Sequence, residues 1–369
     1  MAFLKAAATL FSLFVTTALS CTPEQPVLSI GDYECEVSFG FVSASACQGA
    51  AVNVKREKTG EISQLNQIRT NFYEKASINY TKHAYFFKTN VSCDELYTWS
   101  IVQSQTLGPY EFSVRNLTKS GHSKFFLIAD MDLSNHSLYT QNAMKKIDFS
   151  QYDGFIHAGD YAYDVEDNNG TKGDQYFNYF SNIITRVPYV VVAGNHENYD
   201  VSWLFNYRLM MPDYSEIYRN NFYTVKRGNV FFLYVNYDYV IYLVPGSMNA
   251  VLDYVKKELE KSQNDSSIAW RVVVSHRPIY CGDQGTNDCL LNIYYLKAFD
   301  SLYRKYKIDL FLESHEHFYE RLFTVDDRLK IVYQRNTTDG VTDTFDNPTQ
   351  PMVIISGCAG NEEWWPASV

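Results

Sequence analysis

Two histidines, His315 and His317, close the apolar run "LFLESHEH", with Glu316 between them. In an extended chain, residues two apart project from the same side, so the two imidazoles would share a face. An H-x-H pair alone is weak evidence of a metal site. Other apolar runs, however, end in the same way. "FFLIAD" closes on Asp130, "FIHAGDYAY" supplies Asp160 and Tyr163, "VVVAGNHE" supplies Asn195 and His196, and "RVVVSH" closes on His276. Taken singly, Tyr163 reads as a core aromatic and Asp130 or His276 as unremarkable. Leaving His196 aside, together they offer two carboxylates, a phenol, an amide oxygen and three imidazoles, too many for one tetrahedral ion. The set suits two adjacent cations sharing a bridging carboxylate, as in hydrolysis of phosphate esters. A phenolate is a hard, strongly donating ligand and favours a ferric ion at one position. No cysteine stands among these residues, which argues against soft-metal and iron–sulfur chemistry.

Those runs must be positioned by a scaffold. After "NLTKSGHSK" they alternate with longer segments, and two of these are helical in period. Met248, Val251, Leu252, Val255 and Leu259 keep one apolar face, and "YLKAFDSLYRKY" behaves similarly. Apolar strands alternating with helices predict an α/β domain whose sheet strands are covered on both faces. In such sheets the carboxyl ends of the strands converge on one rim, where sites form. The preceding stretch, from Cys21 to about Asn116, reads differently. "AVNVKRE", "SINYTKHAYFF", "LYTWSIVQS" and "YEFSVRN" are rich in Val, Ile, Tyr, Phe and Thr with a two-residue alternation, which predicts a β-sandwich of about a hundred residues. It holds no cluster of His, Asp or Cys and reads as a scaffold or docking module.

The 369 residues are enough for two domains, and the net charge of -10 disfavours nucleic acid or an anionic membrane as the main partner. Residues 1–20 have one lysine, an apolar stretch from Ala6 to Leu19 and small residues at Ala18 and Ser20. This is the layout of a secretory signal peptide, too short to span a membrane, and it fits better than a lipoprotein site at Cys21. No other apolar run approaches membrane length, so a soluble mature protein without a membrane span is expected. Sequons at Asn79, Asn90, Asn116, Asn135, Asn169, Asn264 and Asn336 predict N-linked glycans. The seven cysteines are scattered rather than paired as C-x-x-C, which favours disulfides, with Cys281–Cys289 as the nearest local pair.

In order along the chain, Asp130, "GDYAY", "GNHE", "VVSH" and "HEHFYER" resemble the metallophosphoesterases, specifically the purple acid phosphatases of plant type and their animal counterparts. The resemblance covers most of the chain. After the signal peptide at 1–20, it implies a fibronectin III-like β-sandwich at 21–118 and a catalytic α/β domain at 119–369, its sheets sandwiched by helices. It further implies a ferric site held by Asp130, Asp160, Tyr163 and His317. A divalent site (zinc, manganese or iron) would be held by Asp160, Asn195, His276 and His315, with Asp160 bridging. His196 would contact phosphate and protonate the leaving group. The implied activity is a secreted or endolysosomal acid phosphatase cleaving small phosphate monoesters by attack of a metal-bound hydroxide, with a homodimer among the assemblies allowed.

Three positions depart from the family pattern. Asp132 stands where glycine is usual, Ser314 replaces the glycine before the histidine pair, and "CGDQGTNDCL" lacks a further histidine. The family also continues with several strands after the segment resembling "GCAGNEEWWPASV", whereas this chain stops at Val369. A catalytically weak or inactive glycoprotein with a structural or binding role is therefore the second reading, and a phosphodiesterase or nucleotide pyrophosphatase on the same metals a third. With the ligand set complete, Asp132 is expected to point outward. His157 is expected to be a buried, hydrogen-bonded core histidine. His83, His122 and His136 read as surface or packing residues, Arg277 as a phosphate contact or an ion pair, and Arg321 as structural.

Overall fold

The computed structural model describes residues 21–103, 105–197, 203–214, 218–244, 246–281, 297–322, 344–346 and 348–363. The expected signal peptide, the sequon at Asn336, Cys289 and the Trp364–Trp365 pair lie outside them. Eight strands come first: β1 (Glu24–Ile30), β2 (Glu36–Ser43), β3 (Ala51–Arg56), β4 (Ile62–Asn66), β5 (Arg69–Lys75), β6 (Tyr80–Asn90), β7 (Leu96–Val102) and β8 (Leu107–Ser113). They pair antiparallel as β5-β6-β2-β1 and β4-β3-β7-β8. The alternation read from the sequence has a direct cause in β7, where Tyr97, Trp99 and Ile101 point inward. They meet Leu28, Phe39, Phe41, Val52 and Phe87 in one core, and Phe39 packs on Trp99 with ring centres 4.9 Å apart. Disulfides Cys21–Cys47 and Cys35–Cys93 staple this part, and Cys281 is also disulfide-bonded. Cys358 is a free thiol.

The α/β part follows with β9 (Phe125–Ile128), β10 (Gly154–Ala158), β11 (Tyr189–Val192), β12 (Phe222–Arg227), β13 (Val230–Val235), β14 (Trp270–Ser275), β15 (Leu310–Glu313), β16 (Tyr319–Leu322) and β17 (Met352–Ser356). Strands β9, β10 and β11 are parallel. A second sheet runs β12-β13-β14-β15-β17-β16, parallel except at its two edge strands. The two sheets pack face to face, and strand β13 shows how. Val230, Phe232 and Tyr234 face the core shared with β9–β11, while Phe231, Leu233 and Val235 face outward. That outer face is covered by the helix Met248–Asn264 through Val251, Val255 and Leu259, the apolar stripe read from the sequence. On the opposite side, the helix Thr171–Ile184 buries Tyr176, Phe177, Phe180 and Ile184 beneath the first sheet.

The sheets of the two parts are not separate. β1 pairs in parallel with β11 at Ser29 and Tyr189, giving one seven-stranded sheet, β5-β6-β2-β1-β11-β10-β9. Along β1, Leu28 enters the sandwich core, whereas Val27 and Ile30 enter the core of the α/β part. A buried polar cluster crosses the same seam. Asp174 accepts from Arg208 Nη2 at 2.6 Å, Gln25 Nε2 at 2.7 Å and Tyr80 Oη at 2.9 Å, and it pairs with Lys82 at 3.0 Å. Trp99 Nε1 donates to the Thr185 carbonyl at 2.9 Å.

Candidate metal centre

Each candidate ligand sits just beyond a parallel strand. Asp130 follows β9, Asp160 and Tyr163 follow β10, Asn195 follows β11, His276 follows β14, and His315 and His317 follow β15. The backbone there is unusual. Asp130, Asp160, Tyr163 and His315 all have positive φ, at 57°, 53°, 52° and 72°, as do Ala162 and Asp164. Such left-handed conformations cost about 1–3 kcal/mol each for residues bearing a Cβ and collect at functional sites. At Gly159, φ is 95° and a Cβ would lie 2.4 Å from His276 Nδ1; at Gly194 a Cβ would lie 2.1 Å from Asp160 Oδ1. The two glycines let backbone approach the ligands this closely.

The side chains fall into two groups. In the first, Tyr163 Oη lies 2.8 Å from His317 Nε2 and 3.4 Å from Asp130 Oδ1, and His317 Nε2 is 3.6 Å from Asp130. In the second, His276 Nε2 lies 3.1 Å from both Asn195 Oδ1 and Asp160 Oδ2. Donor atoms of Asp160, His276 and His315 all lie within 4.8 Å of one another. The H-x-H pair is therefore split between the groups rather than sharing a face. The positive φ at His315 ends the extended geometry that would have aligned the two rings. Asp130 reaches both groups, because its Oδ2 accepts from the His315 backbone N–H at 3.1 Å.

Hydrogen bonds behind the imidazoles decide which nitrogens are free. His276 Nδ1 donates to the Ala158 carbonyl at 2.8 Å, and His317 Nδ1 donates to the Glu363 carbonyl at 2.9 Å. Both Nε2 lone pairs then point inward. At His276 that lone pair faces two oxygen acceptors, an arrangement that repels unless a proton or a cation stands among them. Separations near 3 Å are also what neighbouring ligands adopt when each is about 2.1 Å from one ion. The residues thus fit a pair of cations. Electrostatics agree. Burial disfavours the charged form of His276, yet Asp160 and Asp130 outweigh it and push its pKa up to about 9. His196 follows the same pattern: burial opposes its charge, but the hydrogen bond to Asp164 and the charges of Asp160 and Glu363 push it up to about 10. The site stabilises positive charge.

His196 lies beside this set. Its backbone N–H donates to Asp160 Oδ1 at 3.1 Å and its Nδ1 to Asp164 Oδ1 at 3.0 Å. Its Nε2 is left 3.4 Å from Glu363 and 3.9 Å from Asp160. Four supporting residues escaped the sequence reading. Glu197 is fully buried and accepts from the backbone N–H groups of Asp160, Tyr161 and Gly194 at 2.8–2.9 Å. Asn361 Nδ2 donates to Tyr163 Oη at 2.7 Å, and Asp164 and Glu363 flank His196. Only the adjacency of Glu197 to "GNH" could have signalled any of them. Asp132 does not point outward. It is 2% exposed, and its Oδ1 accepts from the Ser134 N–H at 2.8 Å, closing the turn after β9 in a way glycine could not. Ser314 Oγ donates to the Ala158 carbonyl at 2.5 Å, tying the ends of β10 and β15. His157 is the core histidine expected, with Nδ1 2.8 Å from Tyr189 Oη. Arg277 makes the ion pair, its Nε donating to Asp238 Oδ1 at 2.6 Å.

Residues 124–319, more than half of the chain, match the family model of the calcineurin-like phosphoesterases. The chain belongs to that family. It is 27% identical over 256 residues to "Acid phosphatase type 7" of Danio rerio, covering 63% of this chain and 54% of the relative. With the protein of the same name from Homo sapiens it is 28% identical over 227 residues, covering 58% and 49%. The chain thus spans about half the length of the curated relatives it matches. The solved purple acid phosphatase PPD1 from yellow lupin seeds superposes with a TM-score of 0.66 at 16% identity, covering 93% of this chain and 66% of that one. That likeness shows the fold, an all-β part followed by an α/β phosphoesterase part, and the acid-phosphatase relatives bear out the resemblance to purple acid phosphatases. Among the described residues, no helix is long and apolar enough to cross a membrane.

Proposed function

We propose that this calcineurin-like phosphoesterase is an acid phosphatase that hydrolyses small phosphate monoesters at a dinuclear centre. The observation that carries the reading is the pair of donor groups around Asp130 and Asp160, with His196 beside them. Asp130, Tyr163 and His317 would hold a ferric ion, Asn195, His276 and His315 a divalent ion, and Asp160 both. Bound there, the two ions would supply Lewis acidity toward phosphate oxygens and a water of lowered pKa. The chain's own residues do the rest. Ala158 and Glu363 carbonyls keep His276 and His317 in the ligating tautomer. Asp164 orients His196 so that Nε2 faces the site, ready to hand a proton to the departing alkoxide.

The N-terminal residues, the sequons and the disulfides support a secreted glycoprotein. The test of the activity is metal analysis together with an aryl phosphate assay across pH. A tyrosinate–ferric centre should absorb in the visible, and Tyr163→Phe should abolish that band without unfolding the chain. A colourless protein with two bound metals and no iron would defeat the ferric assignment. Two bound metals without hydrolysis at any pH would leave the binding role instead.

A further inference from the structure

Arg277 lies against the divalent half of the site, and its contacts there bear on how His315 can act as a ligand. The side chain is buried and anchored through Nε to Asp238 Oδ1 at 2.6 Å, and Asp238 is itself fully buried. Its Nη1 lies 2.8 Å from His315 Nε2. A guanidinium offers donors only, so His315 Nε2 must be the accepting nitrogen, and the neutral ring then carries its proton on Nδ1. In this arrangement neither ring nitrogen has a lone pair to give a metal, although ligation requires one. His276 and His317 differ, because each spends its Nδ1–H on a carbonyl and turns Nε2 only toward other candidate ligand atoms, Asn195 Oδ1 and Asp160 Oδ2 for His276 and Tyr163 Oη for His317.

We propose that Arg277, anchored by Asp238, is a latch on His315: it occupies the histidine's lone pair, and a divalent ion gains this ligand only when the guanidinium lets go. This inference rests on the dinuclear reading above. A second observation supports the release. Asp238 Oδ2 is buried and accepts no hydrogen bond among the described residues. A guanidinium turning away from His315 could therefore pair with both carboxylate oxygens in the fork geometry that Arg and Asp favour. The site thus contains both the contact that holds His315 and a place for the arginine once displaced. The latch acts on one ion only, since Tyr163, Asp130 and His317 lie in the other donor group. The two halves should then differ in kind, with the Tyr163 half filled tightly and the His315 half loaded by exchange against Arg277.

The test is titration of the iron-loaded full-length protein with Zn2+ against a chromophoric chelator. Arg277→Met leaves Asp238 buried without its partner and could fail to fold, so the double variant Arg277→Met/Asp238→Asn accompanies it. Zn2+ should bind either variant about tenfold or more tightly than wild type, the scale of one charge-assisted hydrogen bond removed from competition. The visible tyrosinate band should be unchanged. Equal or weaker Zn2+ binding in the double variant, with that band intact, would overturn the latch and leave the dinuclear reading standing. If wild-type protein takes up no Zn2+, or His276→Ala does not weaken its uptake, the dinuclear reading itself fails and the latch falls with it.

Discussion

At the scale of single residues, Asp160 and His196 test the proposed division between holding metals and moving protons. Asp160 is 1% exposed, and its two oxygens face His276 and the His196 backbone. Asp160→Asn keeps the shape and removes the charge, so both metals should be lost and hydrolysis with them. His196→Ala should keep both metals and slow turnover by about a hundredfold or more, as expected when a general acid and phosphate contact is removed. Metal content by elemental analysis, read beside turnover, checks the pair, and equal metal loss in the two variants would make His196 a ligand. Asp132 carries a different lesson. A carboxylate in a glycine position suggested a disturbed site, but its oxygen closes a turn onto Ser134. The departure is local in its reach.

At the scale of elements, the loop after β10 is held from behind by the loop after β11. Glu197 accepts three buried N–H groups, from Asp160, Tyr161 and Gly194, and so fixes the left-handed turn that aims Asp160 inward. Glu197→Gln would set an amide NH2 against donors. Each unpaired buried N–H costs about 1–3 kcal/mol, so the thermal midpoint should fall and metal binding weaken together. Calorimetry and metal analysis on one sample check this, and unchanged metal affinity would assign Glu197 to stability alone. The clustering of the strand-end residues was legible because Asp, Asn and His are uncommon at the ends of apolar runs, and because five such runs repeat the pattern. Their supports were not legible. Asp164, Glu197, Asn361 and Glu363 are ordinary polar residues whose partners lie mostly distant in sequence, and apart from the adjacency of Glu197 to "GNH" nothing local marks them. The sandwich strands were visible from alternation, but the union of β1 with β11 was not, since parallel pairing between remote segments has no short-range signature.

Across the whole molecule, Asp174 joins the two parts. Burial would raise its pKa, yet Arg208 and Lys82 outweigh burial and hold it below its usual value. A carboxylate depressed on folding contributes stability that is present above its unfolded pKa, about 4, and is lost as pH falls through the folded value. Denaturant unfolding of wild type should therefore show stability falling below about pH 4, and Asp174→Asn should flatten that slope. At neutral pH the variant leaves Arg208 buried without its carboxylate and should lose about 3–5 kcal/mol. Because β1 serves both cores, sandwich and α/β part should unfold in a single transition, with coincident curves from tryptophan fluorescence and far-ultraviolet circular dichroism.

The β1–β11 pairing also bears on how the chain is made. Synthesis delivers the sandwich first, complete in its own antiparallel partners, but with the far edge of β1 unpaired until Tyr189 has left the ribosome. An open edge of apolar strand invites pairing with other chains. Val27 and Ile30, which enter the α/β core in the finished protein, are uncovered during that interval. Nascent chains arrested before residue 189 should therefore associate with one another or with chaperones, and chains released beyond residue 192 should do so less. Sedimentation of arrested chains of the two lengths would reveal the difference, and equal behaviour would mean that the sandwich shields its own edge.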